Sequence, residues 1–222
     1  MSFTLRFAVV GDLHWTQNNG SVSPGGYEDR ISALITALEA ENTADGLDFI
    51  VFNGDLIHDD PNDLSDLKIV LDGLTVPYYV VYGNHDRATD SAWSTLWGYA
   101  RSHSFEFGNY AIICPATSNT DGDYLAVDTT WLQNQIDSFS AKTGIFIICH
   151  IQQDNVYPYG VNAPAVRTIF ENTTNLKGVF YSHNHNENHV YYVDAGDVKY
   201  CFTGHCAHWG LNYYSYRIVE IT

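Results

Sequence analysis

The sequence predicts a mixed α/β domain with a sizeable sheet, open to an arrangement of two stacked sheets with helices outside. Three observations carry that reading. Apolar, strand-like runs alternate with segments of helical spacing through the first half, while the last third is mainly strand-like. Hydrophobic residues make up 45% and aromatics 14%, enough for a substantial core. The chain has 222 residues without an internal repeat, low-complexity tract or linker, so one domain over 1–222 is the simplest division.

Leu5 to Val10 reads as a buried strand ending at Gly11, and residues 15–26 as a polar, Gly-rich loop. Glu28 to Glu41 has apolar residues at 31, 34, 35 and 38, the spacing of a helix. Asp48 to Phe52 is a short strand, Asp63 to Leu71 a helix, Val76 to Val81 a strand beside Pro77, and Ala88 to Tyr99 a helix. Ser104 to Phe107 and Tyr110 to Cys114 flank Gly108-Asn109, a hairpin signal. Asp128 to Phe139 is a helix with Asp128 as N-cap and Trp131, Leu132 and Ile136 inward. Ile145 to Cys149 is an apolar strand, and Ala165 to Phe170 a short helix with Pro164 near its start. Leu176 to Tyr181, Val190 to Asp194, Lys199 to Thr203 and Tyr213 to Ile221 are four further strands.

The net charge is −16, with only 10 Lys plus Arg, so long nucleic acid and anionic membranes are excluded as partners. No apolar run approaches the roughly 18 residues that span a bilayer. Cys114, Cys149, Cys201 and Cys206 include no C-x-x-C pair and read as mostly buried free thiols, with a Cys201–Cys206 bridge possible in an exported protein. Met1 to Val10 lacks a charged leader and cleavage site, so the expected location is cytoplasmic.

Polar residues follow five apolar strands. Gly11-Asp12-Leu13-His14 follows the first, Asn53-Gly54-Asp55 the second, and Gly83-Asn84-His85-Asp86 the third. His150 follows IFIIC, and Ser182-His183-Asn184-His185 follows GVFY. Taken alone, YSHNH with His189 beyond it is equally a polar turn rich in His and Asn. In an open α/β sheet, however, ligands bind beyond the carboxyl ends of strands. Asp12, His14, Asp55, Asn84, His150, His183 and His185 form a mixed N/O donor set suited to Mn, Fe, Zn, Co or Ni. Seven donors exceed one tetrahedral ion and suit two ions with one bridging carboxylate; the lack of Cys argues against a purely structural zinc site.

This order of D-x-H, GD, GNHD, H and [GS]HxH resembles the calcineurin-like metallophosphoesterase superfamily, and within it the class III cyclic nucleotide phosphodiesterases. The resemblance spans Asp12 to His185. It implies a four-layer αββα sandwich, two mixed β-sheets flanked by helices, with two divalent ions, Mn, Fe or Zn. Carried onto this chain, Asp12, His14, Asp55 and His185 hold the first ion. Asp55, Asn84, His150 and His183 hold the second, with Asp55 bridging. His85 becomes the acid or charge-stabilising residue beside the leaving group, and Asp86 orients it. Two departures stand out: Ser182 replaces the usual Gly, and His58 occupies a position where relatives carry Asp or Tyr. His58 could bind metal or substrate, with loop filler the preferred reading.

The resemblance implies hydrolysis of a small soluble phosphate ester by attack of a metal-bound hydroxide on phosphorus. A phosphodiester such as a cyclic nucleotide is preferred, a phosphomonoester is the alternative, and a non-catalytic binding scaffold or a metal storage site is the rival from another class. Leu56-Ile57-His58-Asp59 is not the Asp-Arg-Gly of protein serine/threonine phosphatases, and His85 stands where lipid A precursor pyrophosphatases have Arg. Trp15, Tyr157, Tyr159, His205, His208 and Trp209 could stack on a nucleobase or serve as buried loop anchors. The loop with Ser118, Asn119 and Asp121 offers candidates to grip phosphate or is simply solvated.

Overall fold

An apolar strand with no polar face needs cover on both sides, and the fold supplies it. The structure, a computed structural model, describes residues 4–16, 27–155, 157–185, 200–203, 206 and 214–222. Its elements run β1 (Leu5–Val10), α1 (Tyr27–Asp45), β2 (Phe49–Asn53), α2 (Asp63–Leu71), β3 (Tyr78–Val81), α3 (Asp90–Trp97), β4 (His103–Phe107) and β5 (Tyr110–Cys114). Then come α4 (Thr129–Ser138), β6 (Gly144–Ile148), α5 (Pro164–Asn172), β7 (Leu176–Tyr181), β8 (Tyr200–Phe202) and β9 (Arg217–Ile221).

These strands form two mixed sheets. One has the order β3-β2-β1-β9, with β9 antiparallel to β1; the other has the order β4-β5-β6-β7-β8, with β4 antiparallel to β5. Side chains alternate between two cores because their period in a strand is two. Leu5, Phe7, Val9, Phe49 and Val51 meet Ile112, Cys114, Phe146, Ile148 and Phe180 between the sheets. The intervening Ala8, Val10, Ile50 and Phe52 pack outward with Ile31, Leu34 and Leu38 of α1 and Leu64, Leu67 and Leu71 of α2. Ile113, Ile145, Ile147, Val179 and Tyr181 pack outward with Leu132 of α4 and Val166 and Phe170 of α5. The layers are therefore helix, sheet, sheet, helix.

Several boundaries move for local reasons. The third strand begins at Tyr78 rather than Val76, after Pro77, which has no N–H to give to a ladder. The third helix is shorter than Ala88 to Tyr99: Thr89 caps it by accepting a hydrogen bond from Ala92 N at 3.2 Å, and Gly98 follows it. Asp128 caps α4 as its sequence suggests, accepting from Thr130 N and Trp131 N at 2.9 and 3.1 Å. Phe107 pairs with Tyr110, so Gly108-Asn109 is a two-residue hairpin loop. The first helix runs on to Asp45, and the last strand is confined to Arg217–Ile221. The expected strand Val190 to Asp194 lies outside the described residues.

Arg6 is the charged exception in β1. Its guanidinium reaches Glu41 at 2.7 Å, Glu220 at 3.0 Å and the Gly46 carbonyl at 2.8 Å, so its charge is compensated where it is buried. None of the four cysteines is in a disulfide, so the Cys201–Cys206 bridge is not formed. Among the described residues, no helix is long and apolar enough to cross a membrane.

Candidate metal centre

Parallel strands bring their carboxyl ends to one edge, and β1, β2 and β3 are parallel in one sheet as β5, β6, β7 and β8 are in the other. Asp12 and His14 follow β1, Asp55 follows β2, Asn84 and His85 follow β3, His150 follows β6, and His183 and His185 follow β7. The chain must turn sharply there, and four of these residues hold positive φ: Asp12 at 54°, His14 at 44°, Asp55 at 47° and His183 at 67°. Such conformations cost roughly 1–3 kcal/mol each in non-glycine residues and gather where function requires them. Two glycines make the approach possible. A Cβ on Gly54, itself at φ +78°, would sit 2.4 Å from His150 Nδ1, and one on Gly83 would sit 2.0 Å from the Asp55 backbone nitrogen.

The donors meet in two clusters. In one, His185 Nε2 lies 3.2 Å from Asp12 Oδ1 and 3.1 Å from His14 Nε2. In the other, His150 Nε2 lies 3.2 Å from Asn84 Oδ1 and 3.1 Å from Asp55 Oδ2. Asp55 Oδ2 also lies 3.6 Å from His14 Nε2, so a single oxygen touches both clusters. Bonds of about 2.0–2.2 Å to a cation place neighbouring donors about 3–3.5 Å apart. The donor atoms of Asp12, His14 and His185, and those of Asp55, His150 and His183, lie within 4.8 Å of one another, which fits an ion in each cluster.

Outer partners orient these donors. His150 Nδ1 donates to the Asn53 carbonyl at 2.8 Å and lies 3.0 Å from Ser182 Oγ, which itself donates to Asn53 O at 2.6 Å. The Nδ1 proton leaves Nε2 of His150 as the donor facing the cluster. His183 N donates to Asp12 Oδ2 at 3.0 Å, and His183 Nε2 bonds the Pro158 carbonyl at 3.2 Å. His85 N donates to Asp55 Oδ1 at 2.8 Å, leaving Oδ2 of Asp55 for the clusters.

The electrostatics match a cation-binding cavity. Burial opposes a charge on His150, but the carboxylates of Asp55 and Asp12 outweigh it and raise its pKa to about 9. Burial would raise the Asp12 carboxyl, yet His185 and His150 pull it down to about 2. His14, buried with other imidazoles nearby, is held down to about 3 despite Asp55. A proton on His150 thus sits where a metal ion would place positive charge.

His85 needs a correction. Asp86 does not orient it: the Asp86 carboxylate is fully buried and accepts from Gly83 N at 2.7 Å, Leu56 N at 2.8 Å and Ile57 N at 3.2 Å. It buckles two strand-end loops together. Burial and the nearby charge of Asp55 push its carboxyl up to about 8. The partner of the His85 ring is Asp59, whose Oδ1 lies 3.0 Å from His85 Nδ1 and 2.6 Å from Arg87 Nε. His58 is not filler either. Its Nδ1 lies 3.1 Å from His14 Nδ1, and its ring stacks on His85 at 4.9 Å and 12°. His58 and Asp59 follow Asp55 within four positions, which was the available signal, but neither stands directly at a strand end.

Trp15 is buried in the outer core and is a loop anchor. Asn119 braces its own loop, accepting from Asp121 N and Asp123 N, each at 2.9 Å, while Ser118 is buried. Tyr157 and Tyr159 are 78% and 43% exposed, and Tyr124, absent from the sequence expectations, packs edge-on against His183 at 4.8 Å. His189, His205, His208 and Trp209 lie outside the described residues.

The fold is similar to a dimetal phosphatase from Danio rerio, with a TM-score of 0.77 and 11% identity over 99% of this chain and 93% of that one. A calcineurin-like phosphoesterase from Bacillus subtilis matches with a TM-score of 0.54 and 13% identity over 98% and 90% of the two chains. A putative 5′-nucleotidase from Staphylococcus aureus matches at 0.59 and 14% identity; the match covers 91% of this chain and 49% of that one. No curated protein sequence matches the chain. Calcineurin-like phosphoesterase is the family matched by residues 5–205, nearly the whole length, and the chain belongs to it as a hydrolase of phosphate esters.

Proposed function

We propose that the chain hydrolyses a small phosphodiester, a cyclic nucleotide being the preferred class, at a centre of two divalent ions. The observation that carries this reading is Asp55 Oδ2, 3.6 Å from His14 Nε2 and 3.1 Å from His150 Nε2, a bridging position between two donor clusters. Asp12, His14, Asp55 and His185 would hold one ion, and Asp55, Asn84, His150 and His183 the other. The N/O donor set suits Mn, Fe or Zn. When bound, the ions supply charge neutralisation at the phosphoryl oxygens and an activated water.

The remaining work falls to the chain's own residues. Asp12, Asp55 and His150 are buried, so their charges act in a poorly screened space. His85, tied at Nδ1 to Asp59, has Nε2 left for a substrate. As the water oxygen bonds to phosphorus, the bond from phosphorus to the leaving oxygen breaks and that oxygen takes the proton from Nε2. The leaving oxygen becomes a hydroxyl and the phosphorus a phosphomonoester, both on one molecule when the diester is cyclic, and the displaced water proton goes to solvent. His58, stacked on His85, keeps its ring in that plane.

A diester is preferred because it carries one negative charge where a monoester carries up to two, and the chain's net charge is −16. One observation favours the monoester: Arg87 stands beside His85 through their shared partner Asp59, and a guanidinium suits the more highly charged phosphate. Manganese-dependent turnover of bis-p-nitrophenyl phosphate against p-nitrophenyl phosphate decides between them. A diester-to-monoester ratio of kcat/KM above one supports the preferred class. No turnover of either, with metal bound, would mean a binding scaffold.

A further inference from the structure

Two cavities meet at His85. A smaller one of about 280 Å³ lies over the donor clusters, against His14, Asp55, His183 and His185. A larger one of about 690 Å³ runs from Asn84 and His85 towards Tyr157 and Asn162. His85 and Tyr124 line both. The smaller cavity is of a size for a phosphoryl group, whereas the larger is in the range of about 300–1,000 Å³ typical of sites for whole organic ligands.

We propose that the larger cavity is the leaving-group subsite and that it takes a flat heteroaromatic group, a nucleobase with its sugar. The proposal rests on the reading above that phosphorus sits over the two clusters. His85 stands at the border, so the oxygen it protonates carries the substituent that enters the larger space. Tyr157 leaves 78% of its surface in water, an uncommon state for a large ring, and its described ring contact is Tyr124 at 5.4 Å and 39°. Tyr124 is fixed in turn, edge-on to His183 at 4.8 Å. A base lying on the open face of Tyr157 would be backed by a ring that the metal-side histidine anchors. Asn162 offers an amide to the edge of that base. A second phosphate fits less well: Asp123 lines the same wall, and Arg87 already gives its Nε to Asp59 at 2.6 Å.

Calorimetry on the manganese-loaded protein tests this with three phosphonates, whose carbon–phosphorus bond resists hydrolysis. Methylphosphonate fills the smaller cavity alone, butylphosphonate adds an aliphatic tail, and an adenosine phosphonate adds the base. Stacking on one aromatic side chain corresponds to roughly 5- to 150-fold in affinity, so the adenosine compound should bind about ten-fold or more tightly than the butyl one. Tyr157→Ala, and less strongly Asn162→Ala, should bring that ratio near one. Equal binding of the butyl and adenosine compounds, with methylphosphonate still bound, overturns the subsite and leaves the phosphohydrolase reading standing. So does an unchanged ratio in Tyr157→Ala. Failure of methylphosphonate to bind the wild-type protein overturns both.

Discussion

The unit β1–α1–β2–α2–β3 ends its strands on Asp12, Asp55 and Asn84, with His14 the single imidazole within its share of the seven donors. The unit β5–α4–β6–α5–β7 has the same parallel plan but offers only imidazoles: His150, His183 and His185. All the negative charge in the seven-donor set therefore comes from the first unit. So does most of the positioning. His150 is held by the Asn53 carbonyl, Ser182 Oγ donates to the same carbonyl, and His183 N is held by Asp12. Asn53 Nδ2 also donates to Cys149 O across the sheets at 3.1 Å. Similar backbones thus carry different duties. The first unit defines the site's charge and frame, and the second adds nitrogen donors that are oriented largely by contact with the first.

The sharpest way to break this picture is Asp55→Asn. If the first unit's carboxylate serves both clusters, this one change should remove both ions and reduce turnover to background. Elemental analysis showing two ions retained would contradict the shared role. His150→Ala, in the second unit, should empty one cluster and leave the other loaded; loss of both ions would mean that the two units are not so unequal.

His85→Ala tests the acid in the first unit. We expect metal content to persist and kcat to fall by about 10²–10⁴ for alkyl leaving groups, and by less for nitrophenol, which departs without a proton. Equal slowing for the two classes would rule out proton donation. Asp59→Asn acts through His85, and a loss of about 10- to 100-fold is expected, in the range found for outer partners of site residues. Its signature is a shifted pH–kcat profile with little change in KM.

Ser182→Ala sharpens the comparison from the second unit. Asn53 O still accepts from His150 Nδ1 in that variant, so metal affinity should weaken by only about ten-fold. Isothermal titration with manganese reads the change, and a wild-type isotherm would show that Ser182 only fills space opposite Gly11.

The smallest effect concerns stability. His103 opens β4 and is buried, which pushes its pKa down from 6.5 to about 4. Below pH 6.5 the unfolded chain binds a proton that the folded chain refuses, so stability is full above that pH and falls as pH drops towards 4. The loss is roughly 3 kcal/mol at most for this group. Urea midpoints of the wild type and His103→Gln, compared between pH 7 and 4, should converge as the pH falls; parallel curves would exclude the contribution.

Much of this was legible in the chain. Runs such as LRFAVV, Arg6 apart, and IFII are apolar because both faces of the strand are covered, and that burden leaves its mark residue by residue. Gly-Asp, Gly-Asn-His and His-x-His stand immediately after such runs, so the strand ends and the donor types could be read together. Helix boundaries were read less well, since caps such as Thr89 depend on one hydrogen bond and not on a long pattern.

By itself, then, the sequence determined the alternation of buried strands with helices and the kinds of donor, because burial and strand-end position are local properties repeated along the chain. Only the tertiary structure decided the pairings. His14 meets His185 across 171 positions and His150 meets Asn84 across 66. Asp59 rather than Asp86 takes the His85 ring because Asp86 is spent on three backbone amides. Such choices turn on ångström distances between side chains brought together by packing, and no local run of residues encodes them.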